Sequence, residues 1–295
     1  MAIYCIQNDQ LSVKVKSFGG ELTSIIDNET GIEYLWCGDS KYWGRQAPIL
    51  FPFVGSMKNK EFLLNGNHYS MGQHGFARDM EFECVQEESS IWCTLRSDEE
   101  TKKKYPFDFK LTLGYILEER SIKVVWLVDN TGNQDLPFSI GGHPAFNCPI
   151  KGGKQTDYYI RTNVTNEIRF GEITNEGLLK GDVVNILEVE PDGSFPISEH
   201  LFDKDALVIE NNQINTLELL TPDKVPYVTM KFDMPLCGIW SPTGKQAPFV
   251  CLEPWCGRCD ANDFEGDIYS RDYGTILDMN ESFRQEYIIT FGKIK

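Results

Sequence analysis

Alternation of apolar and polar residues is the feature of this sequence that most restricts its fold. Leu11, Val13 and Val15 alternate with polar neighbours, and segments 109–115 and 122–128 repeat this period of two on either side of a polar turn. A period of two places every second side chain on one face, which is typical of half-buried strands and not of helices. The two segments therefore predict an antiparallel hairpin.

A second hairpin is predicted where Asn65-Gly66 separates two short strand-like segments, because this dipeptide favours the tight turns that join antiparallel strands. Further strand candidates are segments 90–95, 158–161, 206–209, 217–220, 228–232 and 286–291. No segment has a long amphipathic helical period, and the polar stretches 97–104 and 151–156 are predicted to be surface loops. We therefore expect an all-β fold, a large antiparallel β-sandwich formed by a single domain over residues 1–295.

Length, charge and cysteine content narrow the class of protein. The chain has 295 residues, 41% of them hydrophobic, and contains no apolar run of about 18 residues that would predict a membrane span. A formal net charge of −16 argues against nucleic acid as a partner, because such a surface repels a phosphate backbone. Nine scattered cysteines and an N-terminus unlike a signal peptide predict reduced thiols in a cytoplasmic protein. The composition is equally compatible with a monomer and a homodimer.

Four segments combine charged residues with glycine, proline and apolar residues in a way that ordinary strands and turns do not require. They are residues 44–52 with Arg45, 72–79 with His74 and Arg78, 141–147 with His143, and 248–260 with Glu253. A single histidine is more often structural than catalytic, but two of the four histidines lie in these segments. Glu253 lies among residues that are predicted to be buried, where a carboxylate needs partners or a function.

A C-x-x-C motif follows Trp255 and consists of Cys256 and Cys259. Taken alone, it indicates a dithiol redox site. Such sites need the first cysteine at a helix N-terminus in a βαβ unit, whereas this motif lies in an all-β context. A zinc site that combined these two cysteines with Cys251 would lack a fourth ligand. We therefore interpret the three cysteines as reduced thiols near the wall of a site.

Three motifs together make the sequence resemble the aldose 1-epimerase (galactose mutarotase) superfamily, and within it the LacX-like branch. They are H-G-F-A-R at 74–78, G-G-H-P-A-F at 141–146 and P-F-V-C-L-E-P-W at 248–255. The resemblance extends over nearly the whole chain. It implies a β-sandwich with an open cleft on one sheet, a sugar substrate, and neither a metal nor an organic cofactor. The implied activity is that of an isomerase that interconverts the α and β anomers of an aldose.

The resemblance assigns the catalytic roles to His143 as general acid and Glu253 as general base. Opening a pyranose ring needs a base that removes the proton of the C1 hydroxyl and an acid that protonates the ring oxygen. With a reference pKa of about 6.5, a histidine can be kept protonated near neutral pH by nearby carboxylates. A glutamate, with a reference pKa of about 4.3, is expected to be ionised there.

The expected substrate-binding residues are His74, Arg78, Asp205, Arg45 and Trp240. Arg78 resembles a binding arginine of the hexose-phosphate branch, and Arg45 lies where that branch carries a second one, although its sequence context departs from the R-G-G-x-P of the branch. Arginine is well suited to bind phosphate, so a hexose-6-phosphate 1-epimerase is an alternative to a mutarotase of free aldoses. A non-catalytic sugar-binding protein on the same fold is a third alternative, which the presence of an acid–base pair disfavours.

Overall fold

The computed structural model describes residues 1–294, which form 24 strands, one α-helix and four short 3₁₀ helices. The first twelve strands are β1 (Ile3–Gln7), β2 (Leu11–Lys16), β3 (Glu21–Asp27), β4 (Ile49–Leu50), β5 (Glu61–Leu64), β6 (Asn67–Ser70), β7 (Glu83–Gln86), β8 (Ser90–Arg96), β9 (Phe109–Glu118), β10 (Ser121–Asn130), β11 (Leu136–Phe138) and β12 (Ile140–Gly142). The remaining strands are β13 (Ala145–Asn147), β14 (Tyr159–Thr162), β15 (Glu167–Ile173), β16 (Leu179–Glu188), β17 (Ser194–Pro196), β18 (Leu207–Ile209), β19 (Thr216–Leu220), β20 (Pro226–Phe232), β21 (Leu236–Trp240), β22 (Phe249–Cys256), β23 (Thr275–Leu277) and β24 (Ser282–Phe291). The α-helix is α1 (Glu99–Lys104), and the 3₁₀ helices are Lys58–Lys60, Ala77–Asp79, Gln155–Asp157 and Ile268–Ser270.

Two large antiparallel sheets dominate the architecture. One has nine strands in the order β17-β14-β19-β20-β24-β10-β9-β8-β7, and the other has eight, ordered β16-β15-β18-β21-β22-β12-β4 with β13 also paired to β22. The sheets touch at Gly142 of β12, where an added Cβ would lie 2.9 Å from the hydroxyl of Tyr287 and 3.3 Å from the ring of Trp126. Both rings belong to the nine-stranded sheet. This arrangement confirms the predicted all-β antiparallel sandwich.

Alternation decides which side chains pack between the layers. On β2, Leu11, Val13 and Val15 are buried, while the residues between them are half-buried or exposed. The predicted hairpin of β9 and β10 is paired along its full length, and the two strands lie inside the nine-stranded sheet. Each apolar side chain of this size that becomes fully buried stabilises the fold by about 1.5–3 kcal/mol.

The short predicted hairpin is also confirmed, and one predicted loop is wrong. Asn65 and Gly66 join β5 to β6 with positive φ angles of 50° and 79°, as a tight hairpin turn requires. The predicted loop 97–104 instead contains α1, which Asp98 caps by accepting hydrogen bonds from the backbone N–H groups of Glu100 and Thr101. The helix is short and almost entirely polar, so hydrophobic periodicity does not reveal it. Within residues 1–294, no helix is long and apolar enough to cross a membrane.

One pair of cysteines departs from the prediction that all the cysteines are reduced thiols. Cys84 and Cys93 form a disulfide between β7 and β8, where the register places them directly opposite each other. Alternation within each strand does not reveal which residues face one another across a strand pair, so no local pattern predicts this bond. The other seven cysteines are free thiols, and five of these are buried. Because disulfides are typical of oxidising compartments, this pair does not support a cytoplasmic location, which stays a prediction.

Candidate active site

The eight-stranded sheet brings the predicted catalytic residues together. Glu253 lies on β22, which β21 flanks on one side and β12 and β13 flank on the other. His143 lies in the short connection between β12 and β13. Because both of these strands pair with β22, their connection has to pass beside Glu253. All eight residues of β22 are buried, as expected for a strand in the middle of a sheet.

His143 and Glu253 form a buried pair at the centre of the site. The distance from His143 Nε2 to Glu253 Oε2 is 3.3 Å, and the two side chains are 8% and 1% exposed. The alignment is not that of a hydrogen bond, and within residues 1–294 both Glu253 Oε2 and His143 Nδ1 lack a hydrogen-bond partner. A buried polar atom without a partner costs about 1–3 kcal/mol. Such atoms are expected where a ligand supplies the missing bonds.

Burial determines where the proton of this pair resides in the ligand-free site. It lowers the pKa of His143 to about 3, and the positive charges of Arg78 and Arg45 act in the same direction. Burial raises the pKa of Glu253 well above its usual value, and the nearby Asp205 adds to this effect. Both shifts favour the uncharged forms, with the proton of the pair on the carboxyl group of Glu253 and not on His143. Burial and the two arginines oppose the protonated His143 expected from the sequence, and that protonation state stays a prediction.

His74 faces His143 from the loop after β6. Their rings are nearly perpendicular, at 85°, with centroids 5.6 Å apart. The backbone N–H of Gly55 donates a hydrogen bond to Nδ1 of His74 at 3.0 Å, which leaves the proton of the neutral ring on Nε2. Burial lowers the pKa of His74 well below its usual value, and the neighbouring cations reinforce this. His74 is therefore a neutral hydrogen-bond donor beside the pair of His143 and Glu253.

The loop that carries His74 needs the glycine that follows it. The backbone is left-handed at both His74 and Gly75, with φ angles of 65° and 69°. A Cβ at Gly75 would lie 2.2 Å from the carbonyl oxygen of Phe51, so no other residue fits without moving the backbone. The H-G pair in the H-G-F-A-R motif is thus explained by the shape of the loop.

Trp43 forms an aromatic wall that the sequence analysis did not identify. Its ring stacks on His143 with centroids 4.8 Å apart, and it meets Trp240 edge-on at 5.6 Å. Trp240, which was predicted to bind substrate, lies edge-on to His143 at 5.5 Å. The signal available in the sequence was the position of Trp43 directly before the Gly44–Pro52 segment.

These side chains border one open cavity of about 240 Å³. The predicted site residues that line it are His143, Glu253, His74, Arg78, Asp205 and Trp240. Trp43 and Gln73 also line it and were not predicted. Asp205 lies at the exposed rim, two residues before β18, and partial burial in the cleft raises its pKa.

The two predicted phosphate-binding arginines have different surroundings. Arg78 lines the cavity and donates a hydrogen bond from Nη2 to the carbonyl oxygen of Gln73 at 2.6 Å. Its Nε has no hydrogen-bond partner in the described part of the chain and lies 3.8 Å from Oδ2 of Asp79. Burial lowers its pKa to about 10, with a further contribution from Arg45, so it remains a cation at neutral pH. Arg45 lies outside the cavity lining, and its Nη2 is 2.9 Å from Oδ1 of Asp79.

The C-x-x-C motif has none of the features of a redox site. Cys256 is the last residue of β22, and Cys259 lines the cavity. Both are free thiols, and burial raises the pKa of each to about 12. Dithiol chemistry needs a thiolate, which this environment disfavours. Both cysteines are free thiols as interpreted from the sequence, and of the two only Cys259 lies in the cavity wall.

Comparisons with known proteins agree on one family. The family model described as aldose 1-epimerase matches residues 2–290. Protein LacX (plasmid) of Lactococcus lactis subsp. lactis is 34% identical over 274 residues, which cover 89% of this chain and 90% of that protein. A galactose mutarotase related enzyme from Lactobacillus acidophilus has a TM-score of 0.92 at 32% identity, covering 99% of this chain and 98% of the other. A galactose mutarotase-like protein from Lactobacillus casei has a TM-score of 0.90 at 28% identity, covering 99% of this chain and 100% of the other. The chain therefore belongs to the aldose 1-epimerase family.

Proposed function

We propose that this protein is a mutarotase that interconverts the α and β anomers of an aldose by acid–base ring opening and closure. The observation that carries the proposal is the buried pair of His143 and Glu253, 3.3 Å apart at the wall of an open cavity. Anomer interconversion transfers no electrons and no group, so one proton donor and one proton acceptor are sufficient. Each such group typically contributes about 10²–10⁴ to the rate.

Substrate binding moves the shared proton in this proposal. In the ligand-free site burial favours the proton on Glu253. A C1 hydroxyl that donates a hydrogen bond to Glu253 favours the carboxylate, and a ring oxygen that accepts one from His143 favours the imidazolium. Because the two side chains are 3.3 Å apart, the proton has a short path from carboxyl to imidazole. The bound complex then has His143 as acid and Glu253 as base.

Ring opening and closure use the same pair in opposite directions. His143 protonates the ring oxygen while Glu253 takes the proton of the C1 hydroxyl, which gives the open-chain aldehyde. The C1 carbonyl rotates about the C1–C2 bond. On closure His143 takes the proton of the C5 hydroxyl as this oxygen attacks C1, and Glu253 returns its proton to O1. Both groups finish in the state in which the bound complex began.

A free aldose is the substrate class that the arginines support better. Arg78 is the single predicted phosphate ligand within the cavity wall, because Arg45 is paired with Asp79 outside it. A hexose-6-phosphate is the second candidate, supported by the buried Arg78 Nε, which has no hydrogen-bond partner among residues 1–294.

An NMR exchange experiment on a panel of aldoses tests the proposed function. Saturation transfer between the α and β anomeric signals is measured with purified protein, for free sugars and for their 6-phosphates. We expect a protein-dependent exchange rate, with higher kcat/KM for a free aldose than for any 6-phosphate. Binding without exchange for every sugar would instead support the non-catalytic alternative, and a strong preference for a 6-phosphate would support the hexose-phosphate alternative.

A further inference from the structure

Cys251 extends the catalytic pair to a cluster of three residues that are common metal ligands. Cys251 and Glu253 are two residues apart on β22, so their side chains project from the same face of the sheet. The cluster is completed by His143, and one ligand atom from each of the three residues lies within 4.8 Å of the others. All three residues are buried, and Cys251 is completely so.

The ligand types and spacing suit a thiol-seeking divalent cation. Zn²⁺ binds thiolate, imidazole and carboxylate groups tetrahedrally at about 2.0–2.3 Å, which separates its ligand atoms by about 3.3–3.8 Å. The distance of 3.3 Å between His143 Nε2 and Glu253 Oε2 already lies in this range. The sulfur lies within 4.8 Å of the other two ligand atoms, so it needs to approach by at most about 1 Å to reach the same range.

Two further observations favour a ligand at this cluster: an oxygen atom without a hydrogen-bond partner and an adjoining open cavity. Oε2 of Glu253 is buried without a hydrogen-bond partner in the part of the chain that the structure describes. The open cavity borders both His143 and Glu253, so it offers the cation a path of entry and space for water as a fourth ligand. Cys251 lies behind them, packed with Phe249 in an aromatic cluster.

We propose that His143, Cys251 and Glu253 form a binding site for a thiol-seeking divalent cation, and that its occupation inhibits the protein. The cation bonds to the sulfur, to the carboxylate and to one imidazole nitrogen, and the protons of the thiol and the carboxyl group pass to solvent. It thereby occupies both groups that move protons during ring opening. The inhibition rests on the proposed function, whereas binding of the cation does not.

The experiment separates binding from inhibition. Full-length protein that carries Cys5→Ser and Cys37→Ser, which remove the two exposed thiols, is titrated with CdCl₂ while the ultraviolet absorption of the thiolate–Cd²⁺ bond is recorded. We expect one equivalent to saturate the signal. In the NMR assay, ZnCl₂ is expected to abolish anomer exchange and EDTA to restore it.

Two variants assign the site. Cys251→Ala in the same background is expected to weaken Cd²⁺ binding by at least about tenfold. Even the loss of a residue that only hydrogen-bonds to a metal ligand typically costs about 10–100-fold in affinity, and Cys251 is proposed to be a ligand itself. Its anomer exchange without metal is expected to persist. Cys237→Ala is the matched control, because Cys237 is equally buried on the neighbouring strand but outside the cluster. It is expected to keep the wild-type affinity.

Unchanged Cd²⁺ affinity in Cys251→Ala, or the absence of a thiolate signal in the parent protein, would overturn the proposal. If Cys251→Ala lacks the near-ultraviolet circular dichroism of the folded protein, Cys251→Ser takes its place, because serine restores a polar side chain of similar size but cannot form the thiolate bond. The absorption signal is read without any sugar. Cadmium binding that requires Cys251 therefore supports the site even if no aldose undergoes exchange.

Discussion

Unpartnered polar atoms distinguish the candidate site from the other buried charges of the structure. Arg271 and Asp260 are both buried, and they pair through Nε and Oδ1 at 2.7 Å. By contrast, Glu253 Oε2, His143 Nδ1 and Arg78 Nε have no hydrogen-bond partner among residues 1–294, and all three side chains line one cavity. We expect sugar oxygens to supply the missing contacts, because leaving such atoms buried and unpaired is costly.

Arg78→Ala is expected to discriminate between the two sugar classes. If Arg78 contacts hydroxyl groups, kcat/KM for free and 6-phosphorylated sugars should fall by similar factors. If it binds phosphate, the reaction of the 6-phosphate should lose an additional transition-state stabilisation of about 1.5–3 kcal/mol, which is the contribution of a charge-assisted hydrogen bond. Our account predicts similar losses. A selective loss on the phosphorylated sugar would reverse the substrate assignment.

The pH dependence of kcat/KM is expected to be bell-shaped, because the free enzyme is active when the pair of His143 and Glu253 holds one proton. Activity should rise as the pH passes the lowered pKa of His143, about 3, since below it both groups are protonated and no base is left. It should fall as the pH passes the raised pKa of Glu253, above which no acid is left. A rising limb at the ordinary histidine pKa of about 6.5 would contradict this protonation scheme.

Residue types and motifs predicted most of the candidate site. His143, Glu253 and His74 all line the cavity as expected. Arg45 does not, because Asp79 binds its guanidinium group outside the lining. Trp43 was missed, since its contact with His143 joins segments 100 residues apart that no local pattern connects. The pKa shifts of the pair were also missed, because they depend on burial and on charged residues brought close by the fold.

Strand β22 is the element that determines the geometry of the site. It carries Cys251 and Glu253 and pairs with the strands on either side of His143. On its other side, Gly238 of β21 lies opposite Glu253, and the ring of Trp255 packs over the glycine. A glycine is needed here because a Cβ would lie 2.3 Å from that ring.

Gly238→Ala is therefore expected to lower the free energy of unfolding by about 1–3 kcal/mol, the usual cost of overpacking. Urea denaturation followed by circular dichroism measures the effect. Gly72→Ala is the matched control, because Gly72 has no atom within 4 Å of the added Cβ and no left-handed φ. Equal stability of the two variants would show that Trp255 moves aside freely.

Alternation and turn residues predicted where most strands lie in the sequence, but not which strands pair with one another in the sheets. The two hairpins follow from local patterns, since their strands adjoin in sequence. The pairing of β22 with β12 and β13 joins segments about 100 residues apart and depends on the packing of both sheets. Helix α1 escaped prediction because its stability comes from the Asp98 cap and from charge placement rather than from an apolar face.

At the scale of the whole molecule, the candidate catalytic residues and the disulfide lie in different sheets. The candidate catalytic pair belongs to the eight-stranded sheet, whereas the disulfide joins β7 and β8 at one edge of the nine-stranded sheet. Cross-linking residues 9 positions apart stabilises a fold by about 2–3 kcal/mol through the unfolded state. The disulfide should therefore contribute to stability and not to turnover.

The double variant Cys84→Ser, Cys93→Ser is expected to unfold at lower urea concentration, with kcat close to that of the wild type. Dithiothreitol should destabilise the wild type by a similar amount and leave the double variant unchanged. A variant with normal stability would show that the bond contributes nothing to the fold. A loss of kcat in a folded variant would show that the two sheets are coupled.

The anomer-exchange rate of Glu253→Gln tests the central claim most directly. The amide keeps the shape and hydrogen-bonding capacity of the side chain but cannot take the C1 hydroxyl proton. We predict that kcat falls by about 10²–10⁴, while circular dichroism, urea stability and sugar affinity stay close to those of the wild type. Glu265→Gln, at an exposed glutamate, serves as the control and should keep full activity. Near wild-type exchange in folded Glu253→Gln would contradict the account, because Glu253 would then be a buried structural carboxylate.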